Sequence, residues 1–442
     1  MKSTPIAVLR CLALLLLPCL VALPAAAGQT DVSGQTASGA FYRIIVPDGW
    51  LPADGLAIWN HGFDLDPIGP VSDLGPLVNV QLSEGYAVAA SSYSLSGWAL
   101  FQTAVDNREL VEEFEAMFGV PDRIFITGAS LGGIVTAQAL EQGDLGNVVG
   151  ALTLCGAVAG SRVWDGALDL RLLYDAVCSG VTGGEIPGGA GGLPDPPDPG
   201  FDEVALAIAV NTCTGVSLPP ELRTPDQQTR LDQLLALSQL PESFLLIDMG
   251  FATFALYDLV HDAAKLDGGQ AMENIGVEYQ DPTIDAAIER VASDPTDRAR
   301  LFDNFTPTGA IGSAKVVSIH TDKDGLVIVE NESEWASVMP GDQLTVGVVV
   351  EDAPTHCDFT EGEVLAGWFA LQGWVAGANQ PTASDLQTTC DDLVTTGVAQ
   401  GPCRIDPAFV IPDLDGRIPP RGPLFVDGFE SGDTSAWSSV GS

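Results

Sequence analysis

The sequence predicts an α/β fold: a mostly parallel sheet flanked by helices, with a helical insertion and a loop-rich C-terminal extension. Three observations carry the prediction. Short apolar and β-branched runs alternate with segments of helical period over residues 40–154 and resume at Lys315, the rhythm of strands covered on both faces. At 123–133 (RIFITGASLGG) one such strand runs straight into Gly-Ala-Ser-Leu-Gly and then into a helical pattern. Between Gly156 and Gly312 the rhythm gives way to short helical pieces broken by loops.

The Gly-Ala-Ser-Leu-Gly turn has a mechanical signature. In G-x-S-x-G the serine sits on a strained strand-to-helix turn, and the residues two before and two after it must be small for the backbones to pass. Gly128 and Gly132 meet that need around Ser130, and Gly133 adds room. Such a nucleophile elbow lifts the hydroxyl clear of the sheet edge and aims a helix N-terminus, with its free N–H groups, at whatever binds there. Ser130 is the candidate nucleophile.

Before the elbow, residues 40–46 (AFYRIIV) read as a strand closed by Pro47, and 56–59 as a second that ends in Asn60-His61-Gly62-Phe63. Residues 71–84 have helical spacing ended by Gly85, 86–91 (YAVAAS) read as a buried strand, and Tyr93 and Trp98 follow as pocket-lining candidates. Residues 100–118 form an amphipathic helix with Leu110, Val111, Phe114, Met117 and Phe118 on one face. Helix 131–140 and strand 148–154 come after the elbow. In the insertion, helices are expected over 165–178, 202–211 and 227–237, with an apolar run at 244–259. The Gly/Pro-rich stretch 179–200 reads as a loop, and Phe251, Phe254 and Tyr257 either pack the insertion's own core or face a pocket beneath it, apolar spacing being first a packing signal. Strand 315–319, helix 330–339, strand 344–350 and helix 359–375 complete the core; beyond residue 380 the chain reads as short polar and proline-containing stretches.

Residues 1–27 read as a secretory signal: Lys2 and Arg10, an apolar stretch, then Pro-Ala-Ala-Ala. No later stretch reads as long and apolar enough to cross a bilayer, so no integral membrane span is expected. The expected location is secreted or periplasmic, with cleavage near Ala27. Cys11 and Cys19 leave with the signal, and Cys155, Cys178, Cys213, Cys357, Cys390 and Cys403 remain. An even number in an oxidising compartment points to disulfides without fixing their pairing; Cys390 with Cys403 is the nearest local pair, and Cys178 with Cys213 would staple the insertion. No Cys/His cluster has zinc spacing, so neither metal nor cofactor is expected. With 59 acidic against 18 basic residues the formal net charge is −41, or −43 without Lys2 and Arg10, which makes nucleic acid and anionic membranes poor partners.

The serial order of IWNHGF, SYSLSGW, GASLGG and LTLCGAVAG resembles the α/β-hydrolase superfamily, in particular secreted bacterial esterases and peptidase-like hydrolases. The likeness covers residues 40–155 and resumes near 315. It implies an α/β-hydrolase core in two parts, 28–155 and 313–378, a cap at 156–312 and an extension at 379–442. It further implies an oxyanion hole from the backbone N–H of Gly62 or Phe63 together with that of Leu131, with His61 orienting the loop. The superfamily places its acid just past a late strand, where HTDKDGLV offers Asp324, with Asp322 as the alternative and His320 as loop support. It places its base after the last strand, which selects His356, and Ser130, Asp324, His356 is the superfamily's order. His261, near Asp258 and Asp262, reads as solvated helix polarity. Cys357 follows the base directly, and Cys155 is a candidate partner for it. The terminal LFVDGFESGDTSAWSSV resembles a short tail found on many exported bacterial proteins. The implied function is an exported serine hydrolase acting on a small-molecule or polymeric carboxylic ester through an acyl-enzyme. Alternatives are an exopeptidase or amidase of the same fold, or a non-catalytic binding protein on the scaffold.

Overall fold

The computed structural model describes residues 28–66, 68–188 and 201–421; the signal reading and the terminal DGFESG-containing tail lie outside them. Eight strands form one sheet: β1 (Gln29–Gln35), β2 (Phe41–Pro47), β3 (Leu56–Asn60), β4 (Ala87–Ser91), β5 (Ile124–Ala129), β6 (Val148–Leu154), β7 (Lys315–Thr321) and β8 (Leu344–Val349). Their spatial order is β1-β2-β4-β3-β5-β6-β7-β8. β3 to β8 are parallel, and β2 runs antiparallel to both β1 and β4.

Helices cover both faces. α1 (Val78–Ser83), α2 (Thr103–Phe118) and α3 (Leu131–Gln142) belong to the first half of the core. The insertion between β6 and β7 carries α4 (Arg162–Val177), α5 (Glu203–Thr214), α6 (Pro225–Ser238), α7 (Leu245–Gly250), α8 (Leu256–His261), α9 (Pro282–Ala287) and α10 (Pro295–Asp303). α11 (Asn331–Val338), α12 (Glu361–Val375) and α13 (Ala383–Thr395) follow. Strand alternation divides the core: Ile124 and Ile126 face Leu110 and Phe114 of α2, while Phe125 between them packs with Leu77, Trp368 and Leu371 on the α12 side. This is the mostly parallel, helix-flanked α/β sheet that the sequence predicts.

Four local expectations need correction. The helix expected over 71–84 is confined to Val78–Ser83, because Pro76 can sit only at a helix start and Asp73 folds the preceding backbone by accepting the Gly75 N–H. β1 escaped notice because its residues are polar and mostly exposed; its ladder with β2 depends on backbone, not on an apolar stripe. The stretch past residue 380 contains α13, started by a capping box from Thr382 to Asp385 and pinned by the Cys390–Cys403 disulfide; Leu414 and Ile418 pack against Val163 and Ile328. Finally, the run Glu242–His261 does meet the length and apolarity of a membrane span. It is broken into α7, a π-helical turn at Phe251–Ala255 and α8, and Leu245, Met249, Ala252, Leu256 and Leu259 are buried inside the insertion.

The elbow is the tightest point of the fold. A Cβ added at Gly132 would lie 2.0 Å from the Asn60 carbonyl oxygen at the end of β3, and one at Gly128 would lie 2.1 Å from the Gly132 carbonyl oxygen. Gly132→Ala is therefore expected to destabilise the fold by at least about 1–3 kcal/mol, the cost of overpacking. Gly373→Ala, on α12 where an added Cβ meets nothing within 4 Å, is expected to stabilise by up to about 1 kcal/mol through helix propensity. Denaturant midpoints of the two variants check both signs.

Candidate active site

Ser130 ends the elbow strand and precedes α3, with φ 56° and ψ −123°. A non-glycine residue in that region stores on the order of 1–3 kcal/mol of strain, and the surrounding contacts hold it: the Ser130 N–H donates to Leu154 O, and its carbonyl accepts from Gly133 N–H and Ala157 N–H. Ser130 Oγ lies 3.0 Å from His356 Nε2. His356 Nδ1 in turn lies 2.7 Å from Asp324 Oδ2. The structure thus brings together Ser130, His356 and Asp324, which are 226 and 32 residues apart in successive contacts.

Asp324 is fully buried as a side chain, and its other oxygen accepts the N–H groups of Leu326 and Val327. Every oxygen of the carboxylate is used. Asp322 is placed elsewhere: its Oδ1 accepts the Glu351 N–H past the end of β8, which ties two loop bases together away from the imidazole. Below Asp324 a second histidine braces the loop. His320, at the end of β7 and wholly buried, donates from Nε2 to the Val327 carbonyl at 2.7 Å, and its Nδ1 is 3.0 Å from Glu332. Glu332 also accepts from Ser318 Oγ, and Ser318 Oγ accepts from Thr153. Burial works against protonation of His320, but the Glu332 hydrogen bond and charge, with Asp324 nearby, outweigh it and raise the pKa above the ordinary value.

The loop after β3 comes close to Ser130. A Cβ on Gly62 would touch Ser130 Cβ at 3.5 Å and Oγ at 3.9 Å, and Leu131 opens α3, where N–H groups have no helical acceptor. Gly62 and Leu131 line one cleft beside Ser130, and Phe63 follows Gly62 in the chain. His61 is held by its neighbours: its ring stacks on Tyr93 at 4.1 Å, its Nδ1 contacts Gly62 O, and its carbonyl accepts the Tyr93 hydroxyl. Tyr93 lines an open cleft with Gly62 and Leu131, whereas Trp98 is buried edge-on against Trp164.

The insertion meets the site directly. Phe251, in the π-helical turn, packs on Phe63 at 4.9 Å and stacks on Trp164 at 5.0 Å, so it joins the loop after β3 to α4 as well as filling the insertion's interior. Phe244 presses on Gly325, the residue after Asp324, so closely that any Cβ there would clash. Sequence reasoning missed one residue here. Asp248 is the one acid of α7 and lines a cavity with Phe251, Gly325 and Leu326; a carboxylate amid the apolar residues of 244–257 was the available signal.

All six remaining cysteines pair, as Cys155–Cys357, Cys178–Cys213 and Cys390–Cys403. Cys155, just past β6, and Cys357, next to the imidazole, both have positive φ, so the bridge joins two tight bends and fastens the His356 loop beside β6. Cys155, Cys357, Asp324 and His356 offer metal-type donor atoms within 4.8 Å of one another. The two sulfurs are bonded to each other and are not thiolates, the form that binds metals, and the carboxylate and imidazole hold each other.

No protein-family model and no curated protein matches the chain. Solved structures similar to it include feruloyl esterase B from Aspergillus oryzae (12% identity over 79% of this chain and 82% of that one, TM-score 0.41). Candida antarctica lipase A in its closed state is similar at 12% identity (83% and 86% covered, TM-score 0.38), as is an esterase of Pyrococcus furiosus at 14% (79% and 88%, TM-score 0.35). At such distances the activity has to be read from the site itself.

Two outcomes are expected. Because the folded pKa of His320 is raised, its protonation adds stability that is complete below the unfolded value of about 6.5 and fades as pH rises through the folded value. The melting-temperature gap between wild type and His320→Gln should therefore be widest in acid and narrow on the alkaline side. Cys155→Ser and Cys357→Ser are expected to loosen the loop that carries His356, read as faster backbone amide exchange over residues 354–358, with near-native far-ultraviolet circular dichroism.

Proposed function

We propose that this chain, which has the α/β-hydrolase fold, is an exported serine hydrolase that cleaves carboxylic esters through an acyl-enzyme. One observation carries the reading: the Ser130 hydroxyl, the His356 imidazole and the buried Asp324 carboxylate form a continuous hydrogen-bonded line of 3.0 and 2.7 Å on a strained strand-to-helix turn. In this reading His356 takes the Ser130 proton as the oxygen attacks the ester carbonyl, and gives it to the departing alcohol. Asp324 fixes the Nδ1–H tautomer and stabilises the imidazolium that forms. The N–H of Leu131, with that of Gly62 or Phe63, receives the developing oxyanion. Water activated by His356 then releases the acid and restores the serine.

The insertion acts as a cap in this reading, supported by Phe251 against Phe63 and Phe244 against Gly325; it excludes water and shapes the pocket. Three disulfides support an oxidising destination, in line with the signal-like first 27 residues. The partner is a small-molecule or polymeric ester, with neither cofactor nor metal taking part.

A fluorophosphonate probe is expected to label mature wild type and to fail on Ser130→Ala and His356→Ala. Asp324→Asn should lower kcat for p-nitrophenyl esters by on the order of 10⁴, and Asp322→Asn by far less. Unlabelled, folded wild type that turns over neither p-nitrophenyl esters nor aminoacyl p-nitroanilides would refute the enzyme reading; a preference for the anilides would make the protein a peptidase or amidase.

A further inference from the structure

Beside the acid loop lies a cavity of about 180 Å³, open to solvent and walled by α4, the segment 236–240, Phe251, Leu326 and Ile418. Phe251 and Leu326 connect it to the site, one through Phe63 and the other through its N–H to Asp324. Among its apolar walls stand four charged side chains, Asp169, Asp248, Glu278 and Arg417, two of which have unpartnered polar atoms. Asp248 is 8% exposed, and its Oδ2 is buried without a hydrogen-bond partner among the described residues. Arg417 has its Nη1 3.4 Å from Glu330 and a second nitrogen, Nη2, equally unpartnered.

The charges around this space do not cancel. Asp169 is held by Arg421 at 2.5 Å and by the Tyr279 hydroxyl at 2.7 Å. Arg417 is shared with Glu330. Among the described residues neither Asp248 nor the exposed Glu278 is in a salt bridge, and Arg417 acts on Asp248 only at longer range. Burial pushes the Asp248 carboxyl well above the ordinary range; Arg417 pulls it back and Asp324 pushes it further up. A buried carboxylate with a free oxygen is costly until a donor or cation reaches it. Among the described residues no donor hydrogen-bonds that oxygen; Arg417 acts on it only through its charge and is shared with Glu330.

We propose that this cavity binds an apolar, amine-terminated arm of the substrate, with the protonated amine pairing with Asp248. The inference rests on the serine-hydrolase reading for the identity of the occupant, and on the cavity alone for its chemistry. The volume sets the size: a cavity of about 150 Å³ accommodates benzene, so the arm is a six-carbon chain or one ring, and not a long acyl tail. Asp248 is a specificity-determining residue in this scheme, with no part in proton transfer.

The test titrates benzylamine and benzyl alcohol calorimetrically into mature wild type and Asp248→Asn. In parallel it compares kcat/KM for p-nitrophenyl ε-aminohexanoate and p-nitrophenyl hexanoate. Benzylamine is expected to bind wild type at least about tenfold more tightly than benzyl alcohol, and the variant should lose both that preference and the matching preference between esters. Equal binding of the two ligands by wild type, or a preference retained by folded Asp248→Asn, overturns the proposal. Should the variant not fold, the wild-type comparison of amine with alcohol decides alone. Ester hydrolysis without amine preference removes the cavity assignment and leaves the Ser130 reading intact; an Asp248-dependent amine preference in a protein that fluorophosphonate does not label does the reverse.

Discussion

A carboxylate removed from water is costly unless hydrogen bonds compensate it on every side, and much of the site's construction follows from meeting that demand at Asp324. Two loop amides occupy one oxygen and His356 the other. Those amides are in place only if the turn after β7 keeps its shape, and the shape is held from beneath by His320 on the Val327 carbonyl. His320 is oriented by Glu332, Glu332 by Ser318, and Ser318 by Thr153 on the neighbouring strand. The imidazole beside Ser130 is therefore anchored through a polar chain to the centre of the sheet. A loop with only its own turn to hold it would let the imidazole drift off the 3.0 Å contact with Ser130 Oγ.

The other face of the site is held by closeness of backbones. Gly128, Gly132 and Gly133 let β5, α3, the end of β3 and Gly156 approach within distances that no side chain permits. The strain at Ser130 persists because these neighbours leave the chain no alternative path. One half of the site thus depends on polar saturation and the other on the absence of atoms.

Much of this was legible in the sequence because it is local. The elbow is encoded in five consecutive residues, the strands in short apolar runs, and Ser130, Asp324 and His356 in their order along the chain. What was hidden is what depends on distant partners or on backbone alone. β1 has no apolar face to announce it, α13 is amphipathic within a polar stretch, and Pro76 outweighed helical spacing that looked sound from residue 71. Asp322 and Asp324 are two positions apart in one loop, and only the packed turn gives one the imidazole and the other the Glu351 amide. The insertion was read as helical from its periodicity, yet no local pattern could tell that Phe251 would lean on Phe63.

The bridge between Cys155 and Cys357 has a consequence for covalent topology. It closes a loop spanning 202 residues, which contains the whole insertion together with β7, β8, Asp324 and His356. Within that loop, Cys178–Cys213 closes a smaller one. A single cut between residues 178 and 213 leaves the two new ends joined through both bridges, and a cut elsewhere between 155 and 357 leaves them joined through one. Once oxidised, the chain can be nicked anywhere in its most loop-rich region and still travel as one molecule, with the serine-bearing and histidine-bearing segments tethered beside each other.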